Sequence, residues 1–113
     1  MKLELAQIEA RLKLDGYEQE KIDKFFVWHG KRKQLWRAYQ IKAIELYNMG
    51  RSRISSKAIF EKLREDPAMA RIGQFRANNT FTSMWARVLT YKFPKFIGKI
   101  EFKPVGRNIK EAA

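Results

Sequence analysis

The run from Asn78 to Lys92, Asn-Asn-Thr-Phe-Thr-Ser-Met-Trp-Ala-Arg-Val-Leu-Thr-Tyr-Lys, constrains the fold more than any other stretch of the chain. At about 100° of turn per residue, Phe81, Met84, Trp85, Val88, Leu89 and Tyr91 fall on one broad arc of a helix. Thr82, Ser83, Ala86, Arg87 and Thr90 fall on the other. An apolar arc that wide beds into a core. The opposite side, with short side chains, hydroxyls and one arginine, predicts a surface that approaches a partner closely. A helix entering the DNA major groove needs such clearance, together with Asn, Ser, Thr or Arg side chains that reach base edges and phosphates. Asn78 is the expected N-cap. An amphipathic helix whose polar side is merely solvated has the same pattern, so the rest of the chain has to decide between the two.

The chain has 113 residues, enough for one small domain with a core. Hydrophobic residues make up 45% and aromatics 13%, which predicts a folded chain. Lys and Arg number 24 against 12 Asp and Glu, a formal charge of +12. A surplus of that size repels itself and points to a polyanion: nucleic acid first, an anionic membrane surface next, an acidic protein third. There is no cysteine, which excludes disulfides and thiolate zinc sites and suits a reducing compartment. No apolar run approaches a membrane span, and the start, Met-Lys-Leu-Glu-Leu-Ala-Gln-Ile-Glu-Ala, alternates charged with apolar residues as no secretory signal does. A cytoplasmic protein without a membrane partner is expected.

Leu5, Ile8 and Leu12 mark a first amphipathic helix, ended by Asp15-Gly16, that packs on the domain or pairs with a second copy. A second helix follows Tyr17, with acids in its first turn and Ile22, Phe25, Phe26, Val27 and Trp28 toward its end; His29-Gly30 reads as a turn. A third covers about 31–49, with Trp36, Tyr39, Ala43, Leu46 and Tyr47 in one stripe that Ile41 and Ile44 widen. Lys31, Arg32 and Lys33 open it at the end where the helix dipole disfavours cations, so phosphate contact is the expected reason for them. Arg51-Ser-Arg-Ile54 suits a brief edge strand, and Ser55 or Ser56 caps a fourth helix to about Glu65, with Ala58, Ile59 and Leu63 inward. Asp66-Pro67 ends it. The connection 68–77 is long for a compact helix-turn-helix. After the helix 78–92, Pro94 to Gly98 suits a single turn and Ile100-Glu-Phe-Lys103 a short strand that pairs with Arg53-Ile54.

This order matches a mainly α, winged helix-turn-helix-like domain with a short two-stranded element and extra N-terminal helices, the last helix being the reader. The expected units are an N-terminal amphipathic helix over 1–16, the winged helix-like domain over 17–103 and a flexible tail over 104–113.

The run Ser55 to Arg64, the segment Phe75-Arg-Ala-Asn-Asn-Thr-Phe-Thr-Ser-Met-Trp-Ala-Arg87, and the Phe-Pro pair that follows carry a resemblance. Over roughly residues 25–107 the chain resembles small phage and prophage proteins with an Asn-Asn-Asn-aromatic-x-Ser-Arg-aromatic-Ala-Arg helix, then a proline and a Phe-rich strand. Asn78, Asn79, Phe81, Ser83, Trp85, Ala86 and Arg87 match; Thr80 and Met84 depart, the second replacing an arginine that Arg76 or Lys92 would have to replace in function. The resemblance implies a phage or prophage source, and so the host cell cytoplasm.

Enzymatic chemistry has little to stand on. With one His and no Cys, thiolate and His clusters are excluded, and the acids look scattered. The six glycines are dispersed, so no phosphate-cradling loop is present. Trp28, Trp36 and Trp85 read as core, and His29 as a turn residue or helix cap. The expectation is a non-catalytic double-stranded DNA-binding regulator of transcription without cofactor or metal. Asn78, Asn79, Thr82, Ser83 and Arg87 would meet the groove, with Arg76, Lys57, Arg51, Arg53, Lys31, Arg32 and Lys33 on phosphates. Six to eight such contacts imply a slope of log affinity on log salt of roughly −5 to −7. The rival is an interaction protein that holds an acidic host protein on the same basic surface; the oligomeric state is open.

Overall fold

A computed structural model describes residues 4–67 and 79–101. The α-helices are α1 (Leu5–Leu14), α2 (Gln19–Gly30), α3 (Lys33–Asn48), α4 (Ser56–Arg64) and α5 (Asn79–Lys92), followed by a 3-10 turn at Pro94–Phe96. The fold is mainly helical. The connection 68–77, Asn78 with its expected capping role, residues 102–103 of the expected strand and the tail 104–113 lie outside the described residues.

Local chemistry sets the helix ends. Ser55 accepts a hydrogen bond from the Ala58 N–H at 3.1 Å and so caps α4. Gly16 takes φ +108° after α1; its N–H donates to the Lys13 carbonyl and that of Tyr17 to the Leu12 carbonyl at 3.1 Å. This glycine-closed stop returns the chain beside α1 and fixes where Asp15 lies. Gly50 closes α3 in the same way, with φ +87°.

The core forms around α5. It touches α1, α2, α4 and the 3-10 turn. Trp85, fully buried, is its hub. The centroids of Trp28, Tyr39 and Trp36 lie 4.7, 5.1 and 5.2 Å from its own, and Phe60 stacks on it at 6.3 Å with 13° between planes. Tilted and offset arrangements suit ring quadrupoles. Removing the Trp85 side chain would cost about 3–5 kcal/mol. Leu12, Ile22, Phe25, Leu46, Ile59 and Leu63 fill the space between the other helices.

Several sequence expectations are corrected. The winged two-stranded element is absent among the described residues: Ile54 and Ile100 meet in a single parallel bridge, made by Ile54 N–H to the Lys99 carbonyl and Glu101 N–H to the Ile54 carbonyl, each 2.7 Å. Among its described side chains, 81–92, helix α5 has no exposed side. Thr82, Ser83, Ala86 and Thr90 are buried like the apolar arc opposite. Small side chains permit close approach, and here what approaches is neighbouring helices. His29 is no turn residue, because α2 runs on to Gly30. Leu5 is exposed, leaving Leu12 and the half-buried Ile8 to anchor α1, and Ile41 faces outward from α3.

Candidate nucleic-acid interface and a polar cleft

Of the residues expected to read DNA, the side chains of Thr82, Ser83 and Arg87 are described, and they form no exposed face. Thr82 and Ser83 are buried, the Ser56 hydroxyl lying 3.4 Å from the Thr82 carbonyl. Arg87 turns inward: its Nη1 donates to Asp15 Oδ2 at 3.1 Å, its side chain is 12% exposed, and its guanidinium lies 5.5 Å from the Tyr17 ring centroid. Asn79 begins α5, while Asn78 and Arg76 lie outside the described residues. Lys92, the suggested substitute for a missing arginine, donates to Gln40 Oε1 at 2.7 Å and ties α5 to α3. The base-reading arrangement is therefore corrected: the side of the helix that would enter a groove is the inside of the protein.

The cations fall into separate groups. Lys31, Arg32 and Lys33 occupy the junction of α2 and α3. Because α2 continues to Gly30, they stand at its C-terminus, where the helix dipole favours positive charge. Arg32 uses this directly, its Nη1 donating to the Trp28 carbonyl at 3.1 Å and its guanidinium stacking 4.9 Å from the Trp28 ring centroid. The junction thus has a structural reason that the sequence reading missed. Lys31 and Lys33 remain exposed. Arg51, Arg53 and Lys57 are exposed at the other end of α3, whose 16 residues span about 24 Å. Arg53 Nε pairs with Glu101 Oε2 at 2.8 Å.

Between the two groups runs the outward side of α3. Lys33, Arg37 and Ile41 succeed one another at helical spacing on its exposed face. Arg37, Ala38, Ile41 and Lys42 line a shallow groove of about 340 Å³ with Gln34 and Asp66. From Lys24 to Phe60 the sole acid is Glu45, and Lys42 leans toward it at 3.4 Å. Acids instead crowd the first 23 residues. Charge is therefore polarised along the chain, a signal legible in the sequence.

A second polar arrangement lies on the far side of α5. Asp15 accepts hydrogen bonds from both Arg87 and the Tyr91 hydroxyl, and Arg11 lies over the Tyr91 ring at 4.6 Å. Burial, then the hydrogen bond and the charge of Asp15, push the Tyr91 hydroxyl well above its ordinary pKa. Asp15, Tyr17 and Tyr91 were not singled out from the sequence. The available signal was Arg87 and Tyr91 at a spacing of four, which points both polar heads the same way. Asp15, Arg87 and Tyr91 form one wall of a cleft of about 670 Å³.

No group of acids and histidines that could hold a metal ion occurs among the described residues, and none of their helices is long and apolar enough to cross a membrane. Comparison with family models, curated proteins and solved structures finds no match for the chain.

Proposed function

We propose that the protein binds nucleic acid without catalysis, through the phosphate backbone, using the outward side of α3 and the α2–α3 junction. The observation that supports this most directly is the run of exposed Lys31, Lys33 and Arg37 in a segment whose sole acid from Lys24 to Phe60 is Glu45. Among the described residues no ion pair neutralises these three side chains. Phosphate contacts confer affinity and orientation without sequence information. With the described side chains of α5 enclosed, the reading rests on phosphate contacts, so duplexes of unrelated sequence are expected to bind alike. The resemblance to phage and prophage proteins supports a role in a phage-infected cell, with double-stranded DNA as the first partner to try and transcription as the process affected.

A salt titration of duplex binding by gel shift or fluorescence anisotropy tests the reading. Reversing Lys31, Lys33 and Arg37 to Glu together should reduce the slope of log affinity on log salt by about 3, near one unit per lost contact. An unchanged slope would move the interface elsewhere, and no binding at low salt would end the proposal.

The groove beside Ile41 favours one alternative, an acidic host protein. Its apolar floor of Ala38 and Ile41 between Arg37 and Lys42 suits a partner that combines apolar and acidic side chains. A pull-down from nuclease-treated lysate separates the readings: one stoichiometric acidic partner, displaced by Ile41→Asp, speaks for the protein partner.

A further inference from the structure

We infer that the cleft beside α5 binds a phosphate group. It opens between the end of α1, the second half of α5 and the segment 97–101, and its volume of about 670 Å³ falls within the range of about 300–1,000 Å³ usual for small-molecule sites. Its lining is unlike the rest of the surface. Arg53, Arg87 and Lys99 face it from three separate segments, against the two carboxylates Asp15 and Glu101.

Each carboxylate is engaged. Asp15 accepts from Arg87 and Tyr91, and Glu101 accepts from Arg53 Nε at 2.8 Å. These bonds offset the charge of the two acids that share the cleft; Arg87 is enclosed in its pair, while the Arg53–Glu101 pair stays open to solvent. Anchored through Nε, Arg53 keeps its two terminal nitrogens for a ligand, in the planar fork that matches two oxygens of a phosphate. Lys99 adds a compact cation without an ion-pair partner among the described residues. Arg87 and Asp15 offset one another at the wall, so three cations against two acids leave the lining with one surplus positive charge. The parallel bridge at Ile54 and Ile100 sets Arg53 and Lys99 beside each other, since the Lys99 carbonyl receives the Ile54 N–H. That bridge therefore has a use beyond closing the fold: it brings together two cations 46 positions apart in the chain.

A phosphate group can come from a free small molecule or from the end of a nucleic acid strand, and the test separates these. The site differs from the α3 surface, so it stands or falls apart from the nucleic-acid reading. Amide chemical shifts of Gly98, Lys99 and Glu101 are followed by NMR at constant ionic strength. The additions are inorganic phosphate, a nucleoside 5′-monophosphate, sodium chloride, and a short duplex with or without 5′-phosphates.

Saturable millimolar or tighter binding of phosphate or the monophosphate, with chloride inert, is expected, and Arg53→Ala with Lys99→Ala should weaken it at least about tenfold. Both side chains are exposed, so the double variant should fold, and its circular dichroism spectrum is to be compared with that of the parent. A preference for the 5′-phosphorylated duplex assigns the group to strand ends. Binding of the free ligands alone assigns it to a small molecule and leaves the cleft standing even if duplex affinity fails. An absence of saturable shifts in every arm overturns the inference. So does undiminished binding in the double variant, or binding abolished by the Lys31, Lys33 and Arg37 reversal.

Discussion

Trp85 donates its indole N–H to Nδ1 of His29 at 2.9 Å, joining the centre of α5 to the last turn of α2. An accepting Nδ1 requires a neutral imidazole whose proton sits on Nε2. Burial, and secondarily the charge of Lys33, lower the His29 pKa from 6.5. On acidification the unfolded chain therefore takes up this proton first. Stability present above pH 6.5 falls as pH drops through that value, and levels off below the folded pKa. Urea midpoints followed by Trp fluorescence should show this decline. His29→Gln should remove the His-dependent part of it, and equal slopes in the two proteins would exclude His29 as its source.

Arg87 and Asp15 hold α5 to the end of α1. Asp15→Ala leaves a guanidinium with 12% exposure without that carboxylate, and a loss of about 2–3 kcal/mol is expected, less than for a fully enclosed pair because Asp15 is partly solvated. Arg87→Ala should likewise lower stability while duplex affinity of the folded protein stays the same. A variant with unaltered melting temperature and lost affinity would restore Arg87 to the DNA-contacting set.

Ala86 is fully buried. Enlarging it to Leu should cost about 1–3 kcal/mol through overpacking, read as a shifted denaturation midpoint. On a helix side open to solvent the same change would be nearly neutral for stability, so this variant distinguishes the two placements of α5.

The Tyr39 hydroxyl hydrogen-bonds with Ser56 Oγ at 2.7 Å inside the core. Burial pushes the pKa of Tyr39 far above 10.0, and burial raises Tyr17 and Tyr91 as well. Above pH 10 the unfolded chain loses these protons first, so stability falls as pH rises. In an absorbance titration at phenolate wavelengths, ionisation of these residues should coincide with unfolding. Phenylalanine at 39 should flatten the alkaline decline, and an unchanged decline would show that Tyr39 does not contribute.

Much of the secondary structure was legible. The Asn78–Lys92 periodicity predicted α5, Ser55 predicted the start of α4, and the Trp36, Tyr39, Ala43 and Leu46 stripe predicted the inward side of α3, because each depends on neighbours within a few residues. The exposed cations Lys31 and Lys33 were legible too, since long charged side chains rarely stay inside without a partner.

The roles of those elements were not. Helix α5 reads as amphipathic, and a side made of Thr, Ser, Ala and Arg is compatible with water, DNA or other helices. What selected the third was the arrangement of α1, α2 and α4 around it and a carboxylate at Asp15 that matched Arg87. Composition and spacing by themselves determined the helices, some of their ends, such as the Ser55 cap of α4, and the surplus of positive charge. Only the tertiary structure decided which side of each helix meets solvent. The physical reason is that burial of a small polar side chain depends on the hydrogen-bonding partner it finds, and that partner is supplied by residues distant along the chain.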